Sequence, residues 1–264
     1  MLDIQERHAP RWLMNRRRRP EAPLRLYCFA HSGGSIAEFV RWADDLPDIE
    51  VWGIQLPGRG SRISDPHYTR VDSLVHDLVE QAEFHGPFAF FGHSLGALLA
   101  YETARSLHRL GLPAPEYLMV SACPAPHLPR RLHPIHQLSD RELFAEIQGE
   151  YCTLPNEIAE DAELLAIVMS SHRCDFELVD SYQYVDGAPL NMPIHAVGGI
   201  EDRLTAMELA AWRDHCQGQF TLKLLPGGHF YLRQRSSGLF GLIQATLASR
   251  DLAASPADHV TPRL

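Results

Sequence analysis

The sequence predicts an α/β fold in which helices flank a mostly parallel central sheet. Short apolar segments of strand type alternate with longer amphipathic segments of helix type over most of the 264 residues. This alternation is typical of a parallel sheet that helices cover on both faces. One segment, residues 124–191, interrupts the alternation because it is far longer than an ordinary connection between a strand and a helix.

The composition is that of an ordinary globular protein, with 45% hydrophobic and 22% charged residues. A formal net charge of -9 argues against general nucleic-acid binding, which needs a basic face. The cysteine count of 5 is odd and includes no CxxC pair, which favours neither a disulfide framework nor a zinc site. Without a transmembrane-length apolar segment or an export signal, the expected location is the cytoplasm, with no membrane partner.

The first half of the chain predicts an N-terminal arm and four buried strands. Residues 1–23 are polar and basic, and we expect this arm to be anchored through Trp12 and Leu13. The strands, each bounded by turn-forming residues, are predicted at residues 24–29, 51–56, 88–91 and 117–121. Helices are predicted between them, the clearest having an apolar stripe of Val71, Leu74, Val75 and Leu78.

The second half predicts an inserted lid and then the remainder of the core. Ser139 and Glu142 form a capping-box pattern, and helical stripes follow at residues 163–171 and 176–184. Residues 124–191 are therefore assigned to a helical lid. The core, residues 24–123 and 192–250, is completed by predicted strands at 194–197 and 220–225 and helices at 205–216 and 238–248, ahead of a flexible tail at 251–264.

The segment Gly92-His93-Ser94-Leu95-Gly96 fits the G-x-S-x-G pattern between an apolar strand and a helix. This pattern makes a sharp turn that exposes a serine hydroxyl above the sheet, and the flanking glycines leave room for the turn. We predict that Ser94 is the nucleophile of a serine hydrolase with the α/β-hydrolase fold. The alternative is a plain structural turn.

In that fold the catalytic acid and then the histidine follow the nucleophile along the chain. Asp202 follows a predicted strand and is the preferred acid, with Glu201 in reserve; the alternative role for Asp202 is to cap a helix. His229 follows the last predicted strand and is the predicted base, the alternative being a surface histidine. A serine needs such a base because its hydroxyl is a weak nucleophile at neutral pH.

Acyl transfer also needs backbone donors for the oxyanion. The residue after the nucleophile, Leu95, is predicted to supply one N–H, and the loop after the first predicted strand to supply the other from His31 or Ser32. The imidazole of His31 is expected to face solvent, and that of His93 to pack beside the turn without taking part.

Several segments together resemble the type II thioesterases, the stand-alone editing enzymes of polyketide and nonribosomal peptide synthesis. The resemblance extends from about residue 12 to residue 247. It is carried by LYCFAHSGGS (26–35), QLPGRGSR (55–62), FGHSLGALLAYETARSL (91–107), SACPAP (121–126), RCDF (173–176), GGIED (198–202) and PGGHFYL (226–232).

The resemblance implies hydrolysis of thioesters on the phosphopantetheine arm of an acyl or peptidyl carrier protein, without a metal or an organic cofactor. Two positions depart from the family pattern. The chain has Tyr151-Cys152-Thr153-Leu154-Pro155 where a Gly-Gly-Thr-Pro-like stretch is expected, and Cys123 where a small residue such as glycine is common. Acyl preference is therefore not transferred from the family.

Three further expectations concern the substrate and partners. A short acyl chain could lie against lid residues Leu143, Phe144, Ile147, Leu164 and Met169, although these could simply pack the lid onto the body. An acidic carrier could dock on Arg16, Arg17, Arg18, Arg19, Arg130 and Arg131, although the first four could be a solvated arm. The protein is expected to be a monomer.

Two other functions stay open at this point. One is a serine esterase or a releasing cyclase on the same fold, which differs in the leaving group or the acceptor. The other is a binding protein that kept the fold and lost turnover. The complete set of Ser94, Asp202 and His229 counts against the second, because binding alone would not require it.

Overall fold

The computed structural model describes residues 12–129, 133–151 and 154–254, with side chains described as far as residue 246. Seven strands form one sheet in the order β1-β3-β2-β4-β5-β6-β7. The strands are β1 (Leu13–Asn15), β2 (Leu24–Phe29), β3 (Ile49–Ile54), β4 (Phe88–His93), β5 (Leu118–Ser121), β6 (Ile194–Gly199) and β7 (Phe220–Leu225).

Six of these strands, β2 to β7, are parallel, which confirms the predicted mostly parallel sheet. Their carboxyl ends therefore meet at one edge of the sheet, where the loops after β2, β4, β6 and β7 come together. The exception is β1, which pairs antiparallel with β3, Leu13 opposite Ile54. The sheet thus extends into the segment that the sequence assigned to the N-terminal arm, and Trp12 is fully buried beside it.

Seven α-helices accompany the sheet within the described ranges. They are α1 (Ala37–Val40), α2 (Val71–Gln81), α3 (Leu95–Arg109), α4 (Asp140–Tyr151), α5 (Ala162–Ser181), α6 (Ala206–Ala210) and α7 (Leu239–Ala254). One apolar cluster joins α2 and α3 to one face of the sheet, through residues such as Leu74 and Leu98. A second cluster joins α1 and α7 to the other face, through Phe39 and Leu239.

Helices α4 and α5 lie in the segment predicted as a lid, and they enclose a third apolar cluster of their own. The two helical stripes predicted at residues 163–171 and 176–184 fall on one continuous helix, because no glycine or proline interrupts α5. The helix ends at Ser181, so the prediction is wrong for residues 182–184. Asp161 caps α5 by accepting hydrogen bonds from the N–H groups of Glu163 and Leu164. The predicted capping box of Ser139 and Glu142 forms at the start of α4.

A buried carboxylate organises the amino-terminal end of the sheet. Glu50 on β3 is 0% exposed and receives hydrogen bonds from Nε of Arg25 at 2.8 Å and Nε of Arg18 at 2.9 Å. The backbone N–H of Arg19 adds a third at 3.0 Å, and its guanidinium binds the carbonyl oxygens of Ala43, Leu46 and Ile49. Much of the basic run is therefore bonded into the fold.

Candidate active site

Ser94 lies on a sharp turn between β4 and α3. Its backbone has φ 55 and ψ -120, a conformation that a residue with a side chain rarely adopts. A Cβ added to Gly92 would lie 2.2 Å from the carbonyl oxygen of Gly96, and one added to Gly96 would lie 2.1 Å from that of Phe29. Both glycines are therefore required for this turn. The Ser94 N–H donates to the carbonyl of Ser121 at 2.8 Å, which ties the turn to β5.

His229 and Asp202 meet between the loops that follow β7 and β6. The Nδ1–H of His229 donates to Oδ2 of Asp202 at 2.9 Å, with side chains 11% and 6% exposed. The loops can approach because Gly199 has no side chain; a Cβ there would lie 2.3 Å from two carbonyl oxygens of the facing loop. A carboxylate in this position fixes the tautomer that leaves Nε2 free to accept a proton.

Local contacts distinguish Asp202 from Glu201. Helix α6 is capped by Thr205, which forms a capping box with Glu208, so Asp202 is not the helix cap. Glu201, the reserve candidate, is exposed, whereas Asp202 is the carboxylate bonded to His229.

Two cavities meet at Ser94, His229 and Ser32, which line both of them. The first, of about 240 Å³, lies between the loop after β2 and the lid, and Arg233 is among its lining residues. The second, of about 400 Å³, reaches toward the body and is lined by apolar residues of several elements, including Leu98, Ala122, Cys123, Val179 and Leu204. The sequence-predicted nucleophile and base therefore share one junction.

The residues predicted for the oxyanion site lie at the same junction. Leu95 lines the second cavity, His31 the first, and Ser32 both. Within the loop after β2, the Gly34 N–H donates to the His31 carbonyl at 2.9 Å, and Nδ1 of His31 donates to the Ser32 carbonyl at 3.0 Å. His31 is 6% exposed rather than facing solvent, so the expectation for its imidazole is wrong.

A second histidine, His93, packs against the ring of His229 with a centroid separation of 5.0 Å. Burial, and then the neighbouring His229, hold the pKa of His93 well below its ordinary value. Its Nδ1 is linked to the Ser121 hydroxyl at 2.8 Å, and that hydroxyl to the Tyr231 hydroxyl at 2.6 Å. His93 is thus a neutral packing neighbour, and it adds no positive charge beside His229.

With this geometry in place, comparison with known proteins decides the family. A family model described as a thioesterase domain matches residues 24–247. The chain belongs to the thioesterase family. It is a hydrolase that acts on thioesters, and no helix in the part of the chain that the structure describes could span a membrane.

Individual relatives agree with this assignment. The thioesterase is 38% identical to Thioesterase PikA5 of Streptomyces venezuelae, over 85% of this chain and 81% of the relative. It is 35% identical to the gramicidin S biosynthesis protein GrsT of Aneurinibacillus migulanus, over 84% and 88%. The structure of BorB, a type II thioesterase from the borrelidin biosynthetic cluster, matches with a TM-score of 0.78 and 34% identity, covering 90% of this chain and 96% of BorB. The resemblance to type II thioesterases is confirmed.

The lid residues predicted to line the acyl pocket divide into three groups. Ile147 lines the first cavity of the thioesterase. Leu143, Phe144 and Met169 belong to the third apolar cluster, as in the packing alternative, and are not among the residues that line the two cavities. Leu164 is 41% exposed on the first turn of α5, so the pocket prediction is wrong for this residue.

Four of the arginines predicted to bind a carrier lie in the described part of the chain, and none of these four lines either cavity. Arg16 and Arg17 pair with Asp44, and Arg18 and Arg19 with Glu50, at the amino-terminal end of the sheet. This end is opposite to the edge that carries Ser94, so the docking prediction is not supported for these four residues. Arg130 and Arg131 lie outside the described residues, as do Cys152 and Thr153.

Sequence reasoning missed several residues at the site. Tyr151 packs over the ring of His229 at a centroid distance of 4.5 Å, and Phe176 lines both cavities. Sequence reasoning also gave no role to Arg59 or Asp175, which form a buried ion pair beside the loop after β2. Both lie in segments that carried the family resemblance, QLPGRGSR and RCDF, and this was the available signal.

Proposed function

We propose that this thioesterase hydrolyses acyl or aminoacyl thioesters on the phosphopantetheine arm of carrier proteins. In this role it clears stalled or misprimed groups during polyketide or nonribosomal peptide biosynthesis. The observation that carries the proposal is the bonded pair of His229 and Asp202 beside Ser94, where the two cavities meet. The biosynthetic setting is supported by the names of the relatives, PikA5, GrsT and BorB.

The proposed reaction has two steps through an acyl-enzyme. The Ser94 hydroxyl attacks the thioester carbonyl while Nε2 of His229 takes its proton, and Asp202 stabilises the resulting imidazolium. The tetrahedral oxyanion is held by the N–H groups of Leu95 and of His31 or Ser32. The carbon–sulfur bond then breaks, and His229 returns the proton to the departing thiolate.

Hydrolysis of the acyl-enzyme repeats these roles with water. His229 takes a proton from water, the hydroxide adds to the acyl carbonyl, and the bond to Ser94 breaks as the serine oxygen is reprotonated. The products are a carboxylic acid and a free pantetheine thiol, with one water consumed. Helix α3 begins directly after Ser94, so its positive dipole end also favours the oxyanion.

The two cavities suit the two sides of a thioester. A carbonyl carbon at Ser94 must direct the acyl group one way and the sulfur with its arm the other way. The second cavity is lined by buried apolar residues from α3 and from the segment after β5, such as Leu98 and Cys123, and also by the charged Arg203 and Glu208. Because it is the larger of the two, we assign it to the acyl group. The first cavity includes the polar loop after β2 and the 42% exposed Arg233, and we assign it to the arm.

We further propose where the enzyme acts, where its carrier binds and in which oligomeric state it works. The cysteines within the described ranges, Cys28, Cys123, Cys174 and Cys216, are all free thiols, which supports a cytoplasmic location. The acidic carrier would approach the edge that carries the cavities. Arg130 and Arg131, which lie outside the described residues, remain proposed contacts. We also propose that the enzyme acts as a monomer, which sedimentation at micromolar concentration would test.

The experiment compares leaving groups. Release of a thiol from an acyl-loaded carrier domain is measured beside hydrolysis of an oxygen ester with the same acyl group, across acetyl, propionyl, longer acyl and aminoacyl groups. We expect the larger kcat/KM on the carrier thioester and none above background with Ser94→Ala. Faster turnover of the oxygen ester would favour a serine esterase, and formation of a cyclic product instead of the acid would favour a releasing thioesterase.

A further inference from the structure

A buried carboxylate of the lid binds the predicted oxyanion loop and also forms an ion pair with an arginine of the neighbouring loop. Asp175 on α5 is 2% exposed, and its carboxylate binds the guanidinium of Arg59 through two hydrogen bonds, one of them Nη1 to Oδ2 at 2.7 Å. The same Oδ2 accepts the backbone N–H of Gly33 at 2.6 Å. Asp175 therefore contacts both the loop after β3, which carries Arg59, and the loop after β2.

A second residue of α5 meets the same peptide. A Cβ on Gly33 would lie 2.0 Å from Nε2 of His172, which precedes Asp175 by about one helical turn. Nδ1 of His172 donates to the Val168 carbonyl at 2.9 Å, which fixes the ring against its own helix. Gly33 has φ +67, so it also needs the freedom of glycine. Helix α5 thus packs directly on this loop.

Three hydrogen bonds fix the orientation of the loop after β2. The Ser32–Gly33 peptide is held at its N–H by Asp175 and at its carbonyl by Nδ1 of His31. The preceding peptide is held at the His31 carbonyl by the Gly34 N–H. No peptide bond in the described part of the chain is cis, so the Ser32 N–H points opposite to the His31 carbonyl. Fixing these peptides fixes the direction of the Ser32 donor.

We infer that Asp175, itself oriented by Arg59, is a positioning residue that presets the Ser32 N–H for the oxyanion. This inference rests on the proposed function, since it presumes attack by Ser94. Because Asp175 belongs to the lid, the oxyanion site is complete only while α5 is seated on the loop. The lid then contributes to the chemical step as well as to the cavity walls.

The lid offers a matched control for this inference. Asp180 is also on α5 and also buried, and it binds His136 through the ring Nδ1 at 2.8 Å and the backbone N–H at 3.2 Å. Within the described residues it makes no hydrogen bond to the loop after β2, so Asp180→Leu disturbs the anchoring of the same helix without removing the bond to Gly33. A purely structural role for Asp175 predicts similar effects from both positions.

The test measures kcat and KM separately on a propionyl thioester of N-acetylcysteamine. We expect Asp175→Leu to lower kcat by about 100-fold, which is the cost of losing an oxyanion donor. KM should stay within about threefold, since the interaction is realised in the transition state. Asp175→Asn should lose about 10-fold or less, because its amide oxygen can still accept the Gly33 N–H. Asp180→Leu should keep kcat close to the parent value.

A second measurement uses a trifluoromethyl ketone, which forms a tetrahedral adduct with the serine. Its inhibition constant should rise in Asp175→Leu by the same factor as kcat/KM falls. If Asp175→Leu does not fold, Arg59→Lys keeps the charge, loses the two-point contact and should lower kcat by about 10-fold.

Several results would overturn the inference. These are an unchanged kcat in Asp175→Leu, an equal loss of kcat in Asp180→Leu, or a loss confined to KM. Failure of the proposed function would give a different result, because Ser94→Ala would then hydrolyse the thioester at the parent rate. An inactive Ser94→Ala with a fully active Asp175→Leu would reject only the positioning role.

Discussion

Buried carboxylates lie at both ends of the sheet, and they are used differently. At the amino-terminal end Glu50 is surrounded by arginine groups that close the fold around β3. At the carboxyl end Asp202 accepts a hydrogen bond from His229, and His229 lines both cavities. Saturating a carboxylate with partners stabilises a fold, whereas bonding it to one titratable base leaves that base available for chemistry. We therefore expect activity and stability to separate along the strands.

The largest expected effect is on activity at the carboxyl end. Ser94→Ala should lower kcat by about six orders of magnitude, because the proposed nucleophile is lost while binding groups remain. The free energy of unfolding should change little, since the alanine inherits the same backbone conformation. Thiol release and urea unfolding measure the two quantities. Retained turnover would exclude Ser94 as the nucleophile.

A smaller loss of activity is expected from Asp202→Asn. The amide would favour the wrong tautomer of His229 and would not stabilise the imidazolium, which costs about four orders of magnitude in kcat in serine proteases. The variant should fold, because it keeps the shape of the carboxylate. A matched Glu201→Gln variant, which alters an exposed side chain, should have nearly the parent rate. The reverse ranking of these two variants would assign the acid to Glu201.

At the amino-terminal end the expectation is reversed. Burial would raise the pKa of Glu50, but hydrogen bonds from Arg19, Arg18 and Arg25 outweigh it and hold the pKa below the ordinary value. Glu50→Gln should therefore lower the free energy of unfolding by roughly 2–3 kcal/mol, the scale of a hydrogen bond to a charged group, while kcat stays unchanged. The parent loses this contribution as pH falls through the lowered pKa, because the folded carboxylate is then protonated.

The matched control is Asp72→Asn, which removes an ion pair between two well-exposed side chains, Arg70 and Asp72. Exposed pairs contribute at most about 1 kcal/mol, so this variant should unfold almost like the parent. A loss of kcat in Glu50→Gln, with the free energy of unfolding unchanged, would contradict the separation of the two ends.

The last expected effect is on the pH dependence of stability and leaves activity unchanged. Burial and the neighbouring His127 lower the pKa of His215 to about 4. Between pH 4 and 6.5 the unfolded chain binds a proton that the folded chain does not, so the free energy of unfolding falls as the pH falls through this window. His215→Gln should reduce this slope by up to about 1.4 kcal/mol per pH unit. An unchanged slope in His215→Gln would contradict this assignment.

The fold and the central residues of the site could be predicted because their signals are local. A strand, a glycine-flanked serine and a helix lie within a few residues of one another, and each later residue follows the end of a strand. In a parallel sheet those ends must meet at one edge, so sequence order alone brought Ser94, Asp202 and His229 together.

What could not be predicted depends on partners that are distant in sequence. Arg59 and Asp175 are separated by 116 positions, and nothing in the spacing of either segment indicates the other. The roles of Arg18 and Arg19 were missed for the same reason, because a basic run has the same appearance whether it is solvated or bonded to a buried carboxylate. Strand β1 has only three residues, too few for a periodic pattern to identify.

The backbone at Ser94 has a consequence for the evolution of this enzyme. A φ of 55 with a side chain present costs about 1–3 kcal/mol, and the surrounding body must hold the residue there. Selection for greater thermal tolerance would therefore favour glycine at this position, and selection for turnover forbids it. The well-packed scaffold around Ser94 allows the chain to keep this strained backbone conformation. Substitutions that adapt the enzyme to heat should therefore accumulate at other positions.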